Sequence, residues 1–212
     1  MKRRLAAVLA ADLVGYARLM RKDEAGTLER FTDILRKVLE PLIEEHGGRI
    51  VKLVGDGLLV EFSSAVSAVA CALSWQDCVE THEEAERVVL DRLQFRIGIN
   101  LGDVIVQADD IHGDGVNIAA RLEAIGEPGS IYISDDVYRQ AKGKVDADFE
   151  DLGERELKNV AEGIRVYRVS KKRDDRSILS STSGPPNTRN RPSMVVLPFQ
   201  NMSADADQDF LA

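Results

Sequence analysis

The chain has 212 residues, 44% hydrophobic and 30% charged, which is enough for one sizeable core with an appendage. Its formal net charge of −8 argues against a general nucleic-acid binder, although a local basic pocket stays compatible with it. No run reaches the ~20 consecutive apolar residues that a membrane-spanning helix needs.

The opening MKRRLAAVLAADLVGY joins a basic start to an apolar stretch, as a signal peptide does. Asp12 interrupts that stretch early, and the residues read as a buried first strand ending at a turn. Next, Leu28, Phe31, Ile34, Leu35, Val38, Leu39, Leu42 and Ile43 recur at helical spacing, with a bend expected at Pro41 and a stop at Gly47-Gly48. IVKLVGDGLLVEF, residues 50–62, reads as two strands around Gly-Asp-Gly. There Asp56 is either a turn residue alone, in a turn whose two central residues tolerate positive φ, or part of a site. Lys52 is expected on the strand face of Ile50 and Val54, where a lone cation needs a partner.

AVSAVACALSWQDCVETHEEA follows as an amphipathic helix. It places Cys71 and Cys78 on one face about 10 Å apart, beyond disulfide reach. Both are expected to be small reduced core residues, and the compartment the cytoplasm. His46, His82 and His112 have no zinc-ligand spacing. LQFRIGINLGDVIVQ reads as strand-turn-strand, GVNIAARLEAIG as a helix, GSIYIS as a strand, DDVYRQAK as a short helix, and DFEDL and IRVYRV as the last strands. This order predicts an α+β, ferredoxin-like (split βαβ) sandwich, a mostly antiparallel sheet with helices packed on it. Residues 171–193 are charged, then rich in Ser, Pro, Gly and Asn, and read as a flexible linker. Residues 194–212, beginning MVVLPFQNM, open as a buried strand and read as the truncated start of a second domain.

Several polar residues interrupt apolar elements. Asp12 closes the first strand and Asp56 sits at the hairpin tip, so neighbouring strands can set the two carboxylates side by side. They repel unless a cation lies between them, and Mg²⁺ favours a few carboxylates together with substrate phosphates. For Asp12 a helix N-cap is the alternative. Asn117 and Arg121, at i and i+4, project from one helix face, either to hold a ribose and a phosphate or as a surface pair without a ligand. Asp110 lies seven residues before Asn117, and Arg96 stands between Phe95 and Ile97 on a strand where cations are uncommon.

Asp12, VKLVGDG, FRIGINLGDV, DDIHGDGVNIAARLE and LKNVAEGIRVYRV, in that order, resemble the class III nucleotidyl cyclase catalytic domain, close to the bacterial adenylate cyclases, over residues 4–169 and hence most of a domain at 1–170. The resemblance implies cyclisation of ATP to cyclic AMP and pyrophosphate with two divalent cations, Mg²⁺ or Mn²⁺. Asp12 and Asp56 would hold the metals with the Leu13 carbonyl, and the Gly15-Tyr16 turn would contact substrate. Lys52 and Asp110 would select adenine, Arg96 and Lys158 would grip the triphosphate, and Asn117 and Arg121 would position the ribose and the α-phosphate. It also implies a homodimer, with the metal aspartates and Arg96 from one chain facing Lys52, Asp110, Asn117, Arg121 and Lys158 of the other, and an isolated monomer inactive.

Asn100 departs from the family pattern, since many relatives carry histidine there, and the connection from Gly102 to Asp110 is short. Asp109 competes with Asp110 for the adenine role, and the spacing to Asn117 selects Asp110. Two other functions stay open: a guanylate or diguanylate cyclase, the latter because VGDGLLVEF loosely resembles its Gly-Gly-acidic-Glu-Phe hairpin, and a non-catalytic nucleotide-sensing or dimerisation module. The segment from 194 resembles the start of domains that follow cyclase modules in some bacterial proteins and is a candidate regulatory part.

Overall fold

The computed structural model describes residues 2–85, 92–158, 160 and 163–172. The linker expected at 171–193 starts too early, because Lys171 still belongs to the last strand, paired with Ala147, and the described compact unit ends at Lys172; the rest of that expected linker and the second domain expected at 194–212 lie outside the described residues. Its strands are β1 (Lys2–Leu13), β2 (Gly48–Val54), β3 (Gly57–Phe62), β4 (Phe95–Gln107), β5 (Asp110–His112), β6 (Ile131–Ser134), β7 (Ala147–Arg155) and β8 (Ile164–Lys171). Its helices are α1 (Tyr16–Lys22), α2 (Glu24–Ile34), α3 (Glu40–Glu45), α4 (Ala65–Ala85), α5 (Asp114–Ala124) and α6 (Asp135–Ala141). The sheet runs β2-β3-β1-β4-β6-β8-β7, with β5 added to β4, and only β4 against β6 is parallel. This is the mixed, mostly antiparallel α+β sandwich that the sequence predicts.

Alternation along β1 organises both faces of the sheet. Ala7, Leu9, Ala11 and Leu13 join the larger core with Phe31, Ile34, Trp75, Phe95 and Val137 from the helices and β4. Ala6, Val8 and Ala10 face the other way and pack with Leu59, Val104, Ile111 and Ala119, under α5. Contact between α5 and the sheet is closest at Gly98. A Cβ there would lie 2.2 Å from the Glu123 nitrogen and 2.3 Å from the Ala119 oxygen, so a residue without a side chain is what lets the helix backbone touch β4.

Three local expectations are corrected. LQFRIGINLGDVIVQ contains no turn: β4 is one 13-residue strand, because β1 matches it residue for residue from Lys2↔Val106 to Leu13↔Phe95 and satisfies its hydrogen bonds. The chain reverses afterwards, beyond Gln107, through Ala108 at φ 52, into the short β5. Cys71 is buried as expected, but Cys78 is exposed, so only one of the two cysteines is a core residue. Burial pushes the Cys71 thiol up to about 12, so native protein should take up one equivalent of iodoacetamide at Cys78 and a second at Cys71 only after denaturation, as read by mass spectrometry.

The third correction concerns β2. Its register against β3 slips between Ile50 and Lys52, leaving Val51 as a bulge, so Ile50 opposes Val60 while Lys52 opposes Leu59. Val60 belongs to the larger core and Leu59 to the α5 side, so Lys52 leaves the face of Ile50 and joins that of Val51 and Leu59. In the long helical stretch, Leu35–Leu39 widen into a π-helical turn just before Pro41, which has no N–H for the α-helical ladder.

A buried ion pair ties the helical layer to the start of β4. Glu83 of α4 is 2% exposed, accepts from Arg30 of α2 at 2.5 Å and from the Leu93 backbone N–H at 3.1 Å. Glu83→Ala removes the acceptor that Arg30 and the Leu93 N–H share and should cost about 2–3 kcal/mol in urea unfolding, whereas Glu83→Gln keeps an acceptor for Leu93 and should cost less.

Candidate active site

Asp12 is the penultimate residue of β1 and, by alternation, lies on the α5 side of the sheet. It does not cap a helix: the N-cap of α1 is Gly15 and that of α2 is Asp23. Its cross-strand partner is Arg96 of β4. The guanidinium grips the carboxylate at both oxygens, Nε donating to Oδ1 at 2.9 Å and Nη2 to Oδ2. Arg96 Nη2 also lies 3.3 Å from Glu123 Oε1 on α5. Burial works to raise Asp12, but hydrogen bonds from Arg96 and Glu123 outweigh it and hold the carboxyl below its usual range. Burial, together with the hydrogen bond to Asp12 and its charge, pushes Glu123 up to about 8.

Asp56 occupies the tip of the β2–β3 hairpin between the paired Val54 and Gly57. Of the turn residues only Gly55 has positive φ, at 64°, so Asp56 sits in the turn without backbone strain, its carboxylate accepting from its own backbone N–H. Burial raises its pKa and the charge of Asp12 raises it further, so the two carboxylates sense each other across neighbouring strands. Leu13 buries its side chain in the core, which leaves its carbonyl as the group it can offer. Gly15 turns into α1 at φ 69, and the Tyr16 ring packs on Phe31 with centroids 6.0 Å apart. Among the described residues no group of three or more His, Cys, Asp or Glu side chains is gathered as a metal site, so the acidic pair stands without a third ligand of that kind.

The second cluster lies where β5 reaches β2. Lys52 Nζ donates to Asp110 Oδ2 at 2.8 Å, and Asp110 Oδ1 accepts from the Ile111 backbone N–H at 2.7 Å. The Lys52 hydrogen bond holds the Asp110 carboxyl below its usual range. His112 Nε2 sits 3.5 Å from the same Oδ2. Of the two adjacent acids it is Asp110 that meets Lys52, while Asp109 presents its carbonyl to Arg49. Both charges remain about one-third exposed, so they are accessible to a ligand.

Asn117 and Arg121 lie on α5, Asn117 exposed and Arg121 half-buried, and neither side chain has a hydrogen-bond or ion-pair partner among the described residues. Lys158 is exposed between β7 and β8, apart from either cluster's bonded contacts. Asn100 is a structural anchor: it is 3% exposed and its amide donates to the Gly115 carbonyl at 3.2 Å in the first turn of α5. Sequence reading missed Glu123. It stands four residues after Ala119, a buried residue of α5, and that spacing was the available signal that it faces the sheet.

The model of the adenylate and guanylate cyclase catalytic domain family matches residues 3–171. The chain belongs to that family. A protein of Rhizobium meliloti (strain 1021) named "Putative adenylate cyclase 3" is 44% identical over the whole chain, which corresponds to 36% of that protein's length. An adenylate cyclase of Streptomyces coelicolor is 34% identical over 62% of the chain and 32% of its own length. The chain thus spans about a third of these curated relatives. Among solved structures, an adenylate/guanylate cyclase/hydrolase of Silicibacter pomeroyi is 44% identical with a TM-score of 0.73, covering 82% of this chain and all of that one. The adenylyl cyclase CyaB of P. aeruginosa aligns with the same TM-score at 26% identity, over 82% of this chain and 97% of its own. No described helix is long and apolar enough to cross a membrane.

Proposed function

We propose that this chain is the catalytic domain of an adenylate cyclase, forming 3′,5′-cyclic AMP and pyrophosphate from ATP at sites shared between two copies. The family description covers both purines, so the choice of adenine rests on the 2.8 Å Lys52–Asp110 pair. An ammonium beside a carboxylate offers a donor to adenine N1 and an acceptor to its exocyclic amine; guanine presents the opposite pattern at those positions. That pair is the observation that carries the reading.

The acidic pair fits divalent cations. The charge of Asp12 raises the cost of ionising Asp56, and a cation between them would remove that cost. Asp12, Asp56 and the Leu13 carbonyl would hold Mg²⁺ or Mn²⁺, which when bound supplies Lewis-acid activation of the ribose 3′-hydroxyl and neutralises the leaving pyrophosphate. Arg96 would exchange its grip on Asp12 for phosphate oxygens, and the exposed Lys158 would supply a further cation. The unpartnered Asn117 and Arg121 side chains orient the ribose and receive charge that develops on the α-phosphate, where a single such donor is worth about 2.7–4 kcal/mol. The Gly15-Tyr16 turn lines the phosphate end through main-chain groups. In the cytoplasmic homodimer we envisage, the acidic cluster of one copy faces the Lys52–Asp110 cluster of the other.

Incubating the purified chain with ATP or GTP and either Mg²⁺ or Mn²⁺, with products separated by chromatography, tests this. Cyclic AMP from ATP is the expected product. Cyclic GMP as the main product, a dinucleotide, or no nucleotide product at all overturns the reading.

A further inference from the structure

The cluster around Glu61 is not used by the chemistry above, yet it is built at a cost. Glu61 of β3 is 5% exposed and lies on the α5 side of the sheet, where an unpaired carboxylate would be strongly disfavoured. Two arginines neutralise it: Arg4 of β1 at Oε1, and Arg49 of β2, whose Nη2 donates to Oε2 at 2.9 Å. The other arm of the Arg49 guanidinium, Nη1, donates to the Asp109 backbone carbonyl at 3.1 Å. Asp109 is the turn residue immediately before Asp110.

The Val51 bulge gives this arrangement its geometry. Arg49 and Lys52 are three residues apart and would point to opposite faces of a regular strand. With one residue bulged out between them, Arg49 opposes Glu61 and Lys52 opposes Leu59, and both face the same side. From there they reach consecutive residues of one turn, Arg49 the main chain of Asp109 and Lys52 the side chain of Asp110. That turn otherwise depends on a three-residue strand and on Ala108 at positive φ, so it is weakly fixed by its own backbone.

We propose that Arg49, oriented by the buried Glu61 and Arg4, is a positioning residue that fixes the Asp109–Asp110 turn against Lys52 and thereby sets nucleobase selectivity. The inference rests on the adenine-selecting reading of Lys52 and Asp110. Arg49 does not touch substrate in it; a fork-shaped guanidinium is needed because one group must bond a carboxylate and a carbonyl in fixed directions.

The test compares wild type, Arg49→Gln, Arg49→Lys and Glu61→Gln as the full chain. Arg49→Gln should raise the KM for ATP about tenfold, the worth of one charge-assisted hydrogen bond, with kcat changed less than about threefold. The ATP-over-GTP preference, measured both as kcat/KM and as equilibrium affinity for non-cyclisable analogues, should fall by a similar factor. Amide exchange at Asp109–Ile111, followed by NMR, should accelerate about tenfold without any need for turnover. Arg49→Lys should recover part of each effect, and Glu61→Gln should reproduce them more weakly while its packing volume is kept. An unchanged purine preference or unchanged exchange in Arg49→Gln overturns the inference, even if its melting temperature falls. A wild-type protein that itself shows no preference for the adenine nucleotide overturns the parent reading of Lys52 and Asp110, and this one with it, so the two failures are distinct.

Discussion

An equimolar mixture of Asp12→Ala and Lys52→Glu proteins should recover about a quarter of the wild-type activity, although each alone falls by at least about a hundredfold. The argument starts from what each substitution removes. Asp12→Ala takes away one of the two carboxylates proposed to hold the cations and leaves Arg96 without its bidentate partner. Lys52→Glu replaces the donor of a 2.8 Å contact with a second carboxylate against Asp110, so it repels where it should bind and reverses the hydrogen-bond pattern offered to the base. The two lesions fall in clusters that each close within one chain but share no hydrogen bond or ion pair with each other among the described residues. If copies face each other, half of randomly formed dimers are mixed, and each mixed dimer has one site with both clusters intact. Mixed dimers shown to form by differential tagging, yet inactive, would rule out shared sites. Lys52→Glu alone should not create a GTP cyclase, since Asp110 opposes the new carboxylate.

Gly98→Ala should abolish activity and destabilise the domain by about 3 kcal/mol, the upper range for an added methyl that cannot be accommodated by side-chain movement. The new Cβ would meet backbone atoms of α5, at 2.2 Å and 2.3 Å, so the helix itself has to move off β4. That displacement carries Asn117, Arg121 and Glu123 together, and with Glu123 the contact to Arg96. Thermal or urea unfolding measures the stability part, and turnover at a temperature where the variant remains folded measures the positional part. Retained kcat in a folded Gly98→Ala protein would show that α5 can slide without consequence for the site. Gly102→Ala is the control: its nearest neighbours would be at 3.2 Å, one of them the Asn100 amide, so its effect should be milder.

Much of this site was legible in the chain because its residues violate local expectation. A carboxylate ending an apolar strand, an acid at a hairpin tip, a cation between Phe95 and Ile97, and an Asn-Arg pair at helical spacing are visible without a fold, and the structure places Asp12 beside Arg96 and Lys52 beside Asp110. What misled was local too. Period-2 alternation set Lys52 on the wrong face, since a bulge changes parity by one residue and is decided by the partner strand rather than by β2. NLGD looked like a turn, but twelve matched pairs with β1 keep β4 extended through it.

The sequence by itself determined most of the order of elements, the α+β class and the identity of the polar groups, because periodicity and turn chemistry act over a few residues. Only the tertiary structure decided that Lys52 bonds Asp110 directly, that Glu123 joins Asp12 and Arg96, and that Arg49 braces the Asp109 turn. The Lys52–Asp110, Asp12–Arg96 and Arg49–Asp109 contacts span 58, 84 and 60 positions in the chain. Register, bulge and the backbone contact at Gly98 fix them, and each is a property of two elements packed together, which neither segment encodes alone.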